Sequence, residues 1–204
     1  MNIITVSREF GSGGRELGKR LADALGYAYY DKEILSVVSS NLKLDETYVS
    51  RKLDAAALHS IPLTYGRTIG RTRLSMETAQ IMAEQHKVIR EIARKGENFV
   101  IVGRNADVVL KDYHPVNLFV YADMDAKICR SMSRKENDIS SEKEMAKLIA
   151  QIDKGRKKSR ELLTNLAWGE KANYHLCINT SDVEIKKMVA PVAELVKTFI
   201  GGME

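Results

Sequence analysis

Residues 7–17 read Ser7-Arg8-Glu9-Phe10-Gly11-Ser12-Gly13-Gly14-Arg15-Glu16-Leu17. Glycines at Gly11, Gly13 and Gly14, directly ahead of a helical repeat, are an arrangement for gripping an oxyanion. Without side chains in the way, backbone N–H groups converge on phosphate oxygens, and the helix dipole adds positive potential. The common phosphate loop, G-x-x-x-x-G-K-[ST], adds a lysine for the phosphates and a hydroxyl for magnesium. This loop departs at both places. With Gly13 as the last loop glycine, Gly14 stands where the lysine belongs and Glu16 falls near the hydroxyl position. Arg15, one position later, has the charge to reach the phosphates as a planar fork. Taken alone, the loop also fits a tight turn whose glycines serve only close helix–strand packing.

The elements around the loop decide what it can hold. Asn2–Ser7 is a β-branched run, and Arg15–Leu25 carries Leu17, Leu21 and Leu25 at helical spacing with Gly26 as a stop. Tyr27–Tyr30, Phe99–Val102, Val116–Tyr121 and Leu176–Asn179 read as further strands. Glu33–Ser40, Asp45–Leu53 (with Asp45 as N-cap), Ser75–Lys95, Asp125–Lys135 and Glu142–Leu166 read as helices. Residues 56–73 lack periodicity and read as a mobile connection; Asn137–Ser141 reads as a polar break. Ser181 with Glu184 predicts a capping box for a last helix reaching Ile200. Short strands alternating with helices predict an α/β fold in one domain, residues 1–204, with a mainly parallel sheet covered on both faces. Ligands bind such sheets beyond the carboxyl ends of the strands, where the glycine loop falls.

Composition narrows the class. With 204 residues and 44% hydrophobic content, the chain can bury a sizeable core. Its apolar runs are too short for a membrane span. Cys129 and Cys177 suit a reducing compartment, so a cytoplasmic location is expected. His59, His86, His114 and His175 have no metal spacing, and no metal-binding residues are expected. Residues 127–160 hold eleven Lys or Arg against five Asp or Glu, which exceeds the +5 net charge of the whole chain. Such a stretch is either a solvated helix face or a surface that meets phosphate.

Three segments together resemble the cytidylate kinase-like family, a branch of the P-loop nucleoside monophosphate kinases: ITVSREFGSGGRELGKRLADALGYAYYDKEIL, IVGRNADVVL and WGEKANYHLCINTS. The variant glycine loop is itself typical of that branch. The resemblance implies a three-layer P-loop fold with a helical lid, and ATP and Mg²⁺ as cofactors. It further implies phosphoryl transfer to a nucleoside monophosphate, most similar to CMP or dCMP. Residues 32–95 would form the helical acceptor-binding region and 127–160 the basic lid. Gly11, Ser12, Gly13, Gly14, Arg15 and Glu16 would bind the ATP phosphates, and Arg15, Arg130 and Arg134 would be catalytic. Asp31, Arg90, Arg104, Asn105, Asp153 and Arg156 match the family's acceptor-binding positions. Asn105 replaces an expected carboxylate; Lys32 and Val37 stand where cytidylate kinases carry Ser and Arg. Other acceptors therefore remain open.

Two further readings stay open on the residues alone. One is a nucleotide-binding protein of this fold with little or no transferase activity. The other is a nucleic-acid module using the basic stretch, which lacks the interleaved aromatics such binding needs. Small-molecule nucleotides are the expected partners, with no nucleic acid and no membrane.

Overall fold

The computed structural model describes residues 1–55, 76–134, 139 and 141–202. Five parallel strands form one sheet in the order β2-β3-β1-β4-β5: β1 (Ile3–Arg8), β2 (Ala28–Tyr30), β3 (Phe99–Val102), β4 (Val116–Tyr121) and β5 (Leu176–Asn179). The central strand β1 pairs with β3 (Ile4 opposite Val100) and with β4 (Thr5 opposite Asn117). β3 is apolar throughout, and every residue of β1 but Arg8 is buried, Thr5 and Ser7 included, because both sheet faces are covered.

Period-two geometry divides those residues between two cores. Ile4, Val6, Val100 and Val102 point to α1 (Gly14–Leu25) and α8 (Ile185–Gly201), meeting Leu17, Leu21 and Val196. Ile3, Phe99 and Ile101 point the other way, toward α2 (Glu33–Leu42), α3 (Glu46–Ala55) and α4 (Met76–Arg94), meeting Ile34, Val49 and Ile89. A short helix α5 (Ala106–Val109), absent from the sequence reading, follows β3. After β4 come α6 (Met124–Ser133) and α7 (Glu142–Leu163), which pack on each other.

The chain leaves the middle strand in both directions across the sheet, so a crevice opens at the carboxyl end of β1. The glycine loop occupies that end.

Several local expectations hold in detail. Gly26 closes α1 in a left-handed conformation, its N–H reaching Ala22 and Asp23 carbonyls. Tyr48 N–H donates to the Asp45 carboxylate at 3.0 Å, as an N-cap requires. Others need correction. The capping box does not form: α8 begins after Glu184 with no side-chain cap, and Ser181 Oγ donates to Asn179 Oδ1 at 2.6 Å. Ser181 is thus used to shape the turn after β5. Helix α7 ends at Leu163 rather than Leu166, because Thr164 turns extended and its hydroxyl accepts the Leu166 N–H. The connection read over 56–73 lies outside the described residues, as does most of the polar break at 137–141.

Candidate functional site

Strand β1 delivers the loop, and its neighbours hold it open. Gly11 and Gly13 take positive φ, +75° and +80°. A Cβ on Gly11 would stand 2.8 Å from the Lys127 carbonyl oxygen, so the position needs glycine on steric as well as conformational grounds. Gly14 lies against the Arg8 side chain, where a Cβ would come within 2.5 Å. The N–H groups of Gly13, Gly14, Arg15 and Glu16 have no hydrogen-bond partner among the described residues; the next, of Leu17, bonds to Gly13 O. Unpaired donors over a cradle with no room for side chains fit a polyphosphate.

Three elements brace this cradle from behind. Phe10 N–H donates to Asp153 Oδ1 at 2.7 Å, and Lys127 Nζ donates to Glu9 Oε2 at 2.9 Å and Asp153 Oδ2 at 3.5 Å. Arg130 donates to Gly11 O at 2.8 Å and Thr180 O at 2.9 Å. Thr180 Oγ1 donates to Ser12 O at 2.6 Å. Burial pushes the Asp153 carboxyl up, while the Phe10 N–H and then Arg156 and Lys127 pull it back. Asp153 is therefore a strut between α7 and the loop. Asp153→Ala leaves a backbone donor and an ammonium short of a partner and is expected to lose about 2 kcal/mol of stability, measured by urea denaturation.

The arginines converge in a cavity of about 560 Å³ beside the loop, lined by Arg8, Arg15, Arg104 and Arg156 among others. Arg15 Nε lies 2.5 Å from Asp31 Oδ2 and Arg8 Nη2 lies 3.8 Å from Asp31 Oδ1. The side chain of Asp31 is 5% exposed and that of Arg8 13%. Burial, then the charge of Arg156, presses the Arg8 guanidinium well below the usual arginine range, with Asp31 opposing. Arg156 Nη1 donates to Arg8 O at 2.8 Å. Arg156 Nη1 also lies 3.4 Å from Asp153 Oδ1, and Glu46 and Lys32 join the lining, so the cavity carries more cations than carboxylates.

Gly103, Arg104 and Asn105 all take positive φ, +74°, +60° and +51°. Two consecutive non-glycine residues in this region store strain, of the kind found where a side chain must be aimed. A Cβ on Gly103 would collide with the Arg8 guanidinium, so glycine here makes the space Arg8 uses. Asn105 Nδ2 donates to Ser159 Oγ at 3.2 Å and ties the turn to α7.

On the other side of the loop, Glu16, Arg130 and Arg134 line a more open groove with the turn Ser181-Asp182-Val183-Glu184. Arg134 Nη2 donates to Glu16 Oε2 at 2.8 Å, and Arg20 Nε to Glu16 Oε1 at 3.0 Å.

The structure thus sorts the expected residues. Arg15, Arg104, Asn105 and Arg156 meet at one cavity; Glu16, Arg130 and Arg134 at one groove; Gly11 to Gly14 form the loop between. Arg15 does not take the place of the loop lysine: its guanidinium is paired to Asp31 and faces the arginine cavity. Asp31 and Asp153 position arginines and loop. Arg90 does not join them, because it lies on the exposed side of α4 outside the cavity lining. Val37 is likewise exposed, at 45%, while Lys32 lines the cavity. Arg8 and Gln85 were missed. Arg8 had a signal, a charge at the end of a buried strand immediately before the loop; Gln85 had none beyond its apolar helix face.

No cluster of three or more His, Cys, Asp or Glu that could hold a metal occurs among the described residues. Glu16 is the one carboxylate in the first turn of α1. No described helix is long and apolar enough to cross a membrane.

Comparison with known proteins agrees with this geometry. The sequence profile of the cytidylate kinase-like family matches residues 3–182. No curated protein matches in sequence. Among solved structures, an uncharacterized protein from Eubacterium ventriosum ATCC 27560 superposes with a TM-score of 0.68 at 27% identity, covering 97% of this chain and 99% of that one. Shikimate kinase from Bacteroides thetaiotaomicron gives 0.59 at 16% identity, covering 96% and 98%. A gluconokinase from Sinorhizobium meliloti 1021 gives 0.53 at 12% identity, covering 99% and 95%. The last two show a shared P-loop kinase fold.

Proposed function

The chain belongs to the cytidylate kinase-like family, and we propose that it transfers the γ-phosphoryl group of ATP to a nucleoside monophosphate, with CMP or dCMP the closest match. The observation that carries this reading is the gathering of four arginines, Arg8, Arg15, Arg104 and Arg156, in one cavity beside the glycine loop, with Asp31 holding Arg15 and Arg8 in place. A neutral acceptor would leave that charge unused, whereas a phosphomonoester dianion meets it with paired, charge-assisted hydrogen bonds.

The chemistry then asks little of the protein beyond placement. An acceptor phosphate oxygen is already deprotonated near neutral pH, so no side chain need remove a proton. That oxygen forms a bond to the γ-phosphorus as the bond to the β–γ bridging oxygen breaks, leaving ADP and the acceptor diphosphate. The loop N–H groups from Gly13 to Glu16 hold the β- and γ-phosphates, and the arginines hold the acceptor in line. Magnesium, when bound, would offset phosphate charge, with Glu16 in the first turn of α1 the carboxylate that would help hold it. Arg130, fixed to Gly11 O and Thr180 O, keeps α6 on the loop and limits water there.

A second reading has one observation in its favour. Asp31 Oδ1 is buried without a hydrogen-bond partner, and a hydroxyl acceptor deprotonated by Asp31 would use it. The ion pair with Arg15 weighs against this, since it occupies the other carboxylate oxygen and commits Asp31 to holding an arginine.

ADP release from Mg·ATP with CMP, dCMP, UMP, AMP, GMP, shikimate, gluconate or no acceptor separates these readings. Turnover that requires a monophosphate is expected. Arg15→Ala is expected to raise the acceptor KM about tenfold and leave the ATP KM unchanged, its half-exposed side chain being worth one solvated ionic hydrogen bond. A rise in the ATP KM instead would assign Arg15 to the triphosphate. Tight ATP binding without turnover would sink the transfer reading.

A further inference from the structure

We infer that Gln85 reads the polar edge of the acceptor's body, the part beyond its phosphate, and so sets which acceptors are taken. The inference rests on the reading above only in placing the acceptor's phosphate on the arginines. Gln85 lies on α4, is 3% exposed and lines the same cavity. Its Oε1 is buried and has no hydrogen-bond partner among the described residues. A buried amide oxygen without a partner destabilises a fold, and natural interiors rarely keep one that nothing uses.

Its surroundings say what would satisfy it. Leu35, Leu53 and Met82 wall this part of the cavity, with Leu148 and Ile152 of α7 also in its lining. Glu46, Thr47, Ser50 and Gln151 line the same cavity, so its apolar walls carry a few polar groups, the combination that binds and orients a flat organic body. A carboxamide presents an acceptor and a donor side by side. That pattern matches a ring edge where an N–H adjoins a lone pair, as on a nucleobase. A phosphorylated sugar without a base has no such edge and would leave Oε1 unpaired.

The test compares wild type with Gln85→Leu and the near-isosteric Gln85→Met. Affinities for CMP, UMP, AMP and ribose 5-phosphate are measured by titration calorimetry, with ADP release measured in parallel. Wild type is expected to bind at least one nucleoside monophosphate about tenfold or more tightly than ribose 5-phosphate, the worth of one buried polar contact. Both variants are expected to bring that ratio to within about threefold, with ribose 5-phosphate affinity unchanged. Their melting temperatures should equal or exceed that of wild type, because the orphaned oxygen is gone. A preference for base-bearing acceptors that survives both substitutions overturns the inference, as does a wild type that binds ribose 5-phosphate equally well or binds none of the four. Gln85-dependent binding without ADP release would support the inference and sink the transfer reading; turnover with Gln85-independent affinity would do the reverse.

Discussion

Arg8→Met is expected to lower kcat/KM for the acceptor by about 10²–10³, while the ATP KM moves by less than about threefold. Arg8 is more enclosed than Arg156 or Arg15: its side chain is 13% exposed, against 25% and 44%. A charge-assisted bond strengthens as water is removed, so the least solvated arginine has the largest effect on a bound phosphate. The same burial works against the empty protein, where Arg8 lies among Arg156, Arg104 and Arg15 with one carboxylate to offset them. Removing it is therefore expected to leave the melting temperature unchanged or raised, because Asp31 keeps its 2.5 Å pair with Arg15. Gly103→Ala supplies an independent route to the same kinetic phenotype, since its Cβ would occupy the space of the Arg8 guanidinium, with a lowered melting temperature from the +74° φ. Steady-state kinetics with calorimetry on both variants checks this. A lowered melting temperature with unaltered acceptor kinetics would make Arg8 structural.

The second large effect concerns stability. Asp107 of α5 and Arg160 of α7 form an ion pair whose side chains are 3% and 1% exposed, and the guanidinium also lies 6.0 Å from the centre of the Tyr174 ring. Asp107→Ala leaves a cation enclosed without its counter-charge and is expected to lose about 3–5 kcal/mol in denaturant unfolding. The pair itself adds much less, because both charges lose hydration. Asp107→Leu combined with Arg160→Met should therefore recover most of that loss. Failure of the double variant to recover would mean that the pair contributes through geometry as well, holding α7 against α5.

The sequence disclosed what is local. Leu17, Leu21 and Leu25 followed by Gly26 located α1 because a helix repeats every 3.6 residues and stops where a left-handed residue is free to form. Short strands alternating with helices implied a parallel sheet covered on both faces, and the glycines marked its ligand-bearing end. What stayed hidden is set by contacts between distant segments. Whether Arg15 turns to the triphosphate or to Asp31 depends on where β2 ends, sixteen residues further on. Gln85 lies on the same apolar face as Met82 and Ile89, so periodicity counts it as core. Ser181 and Glu184 have cap spacing, yet Asn179 competes for the hydroxyl and wins.

Asp153 and Arg156 stand one helical turn apart on α7, the first fastened to the loop backbone through Phe10 and the second in the arginine cavity. A rigid helix carrying both contacts cannot shift for one ligand without shifting for the other. Occupancy of the cradle therefore changes the free energy of filling the cavity, and by linkage the reverse change is equal. Whatever fills the cradle and whatever fills the cavity would thus be felt through the same single turn of backbone.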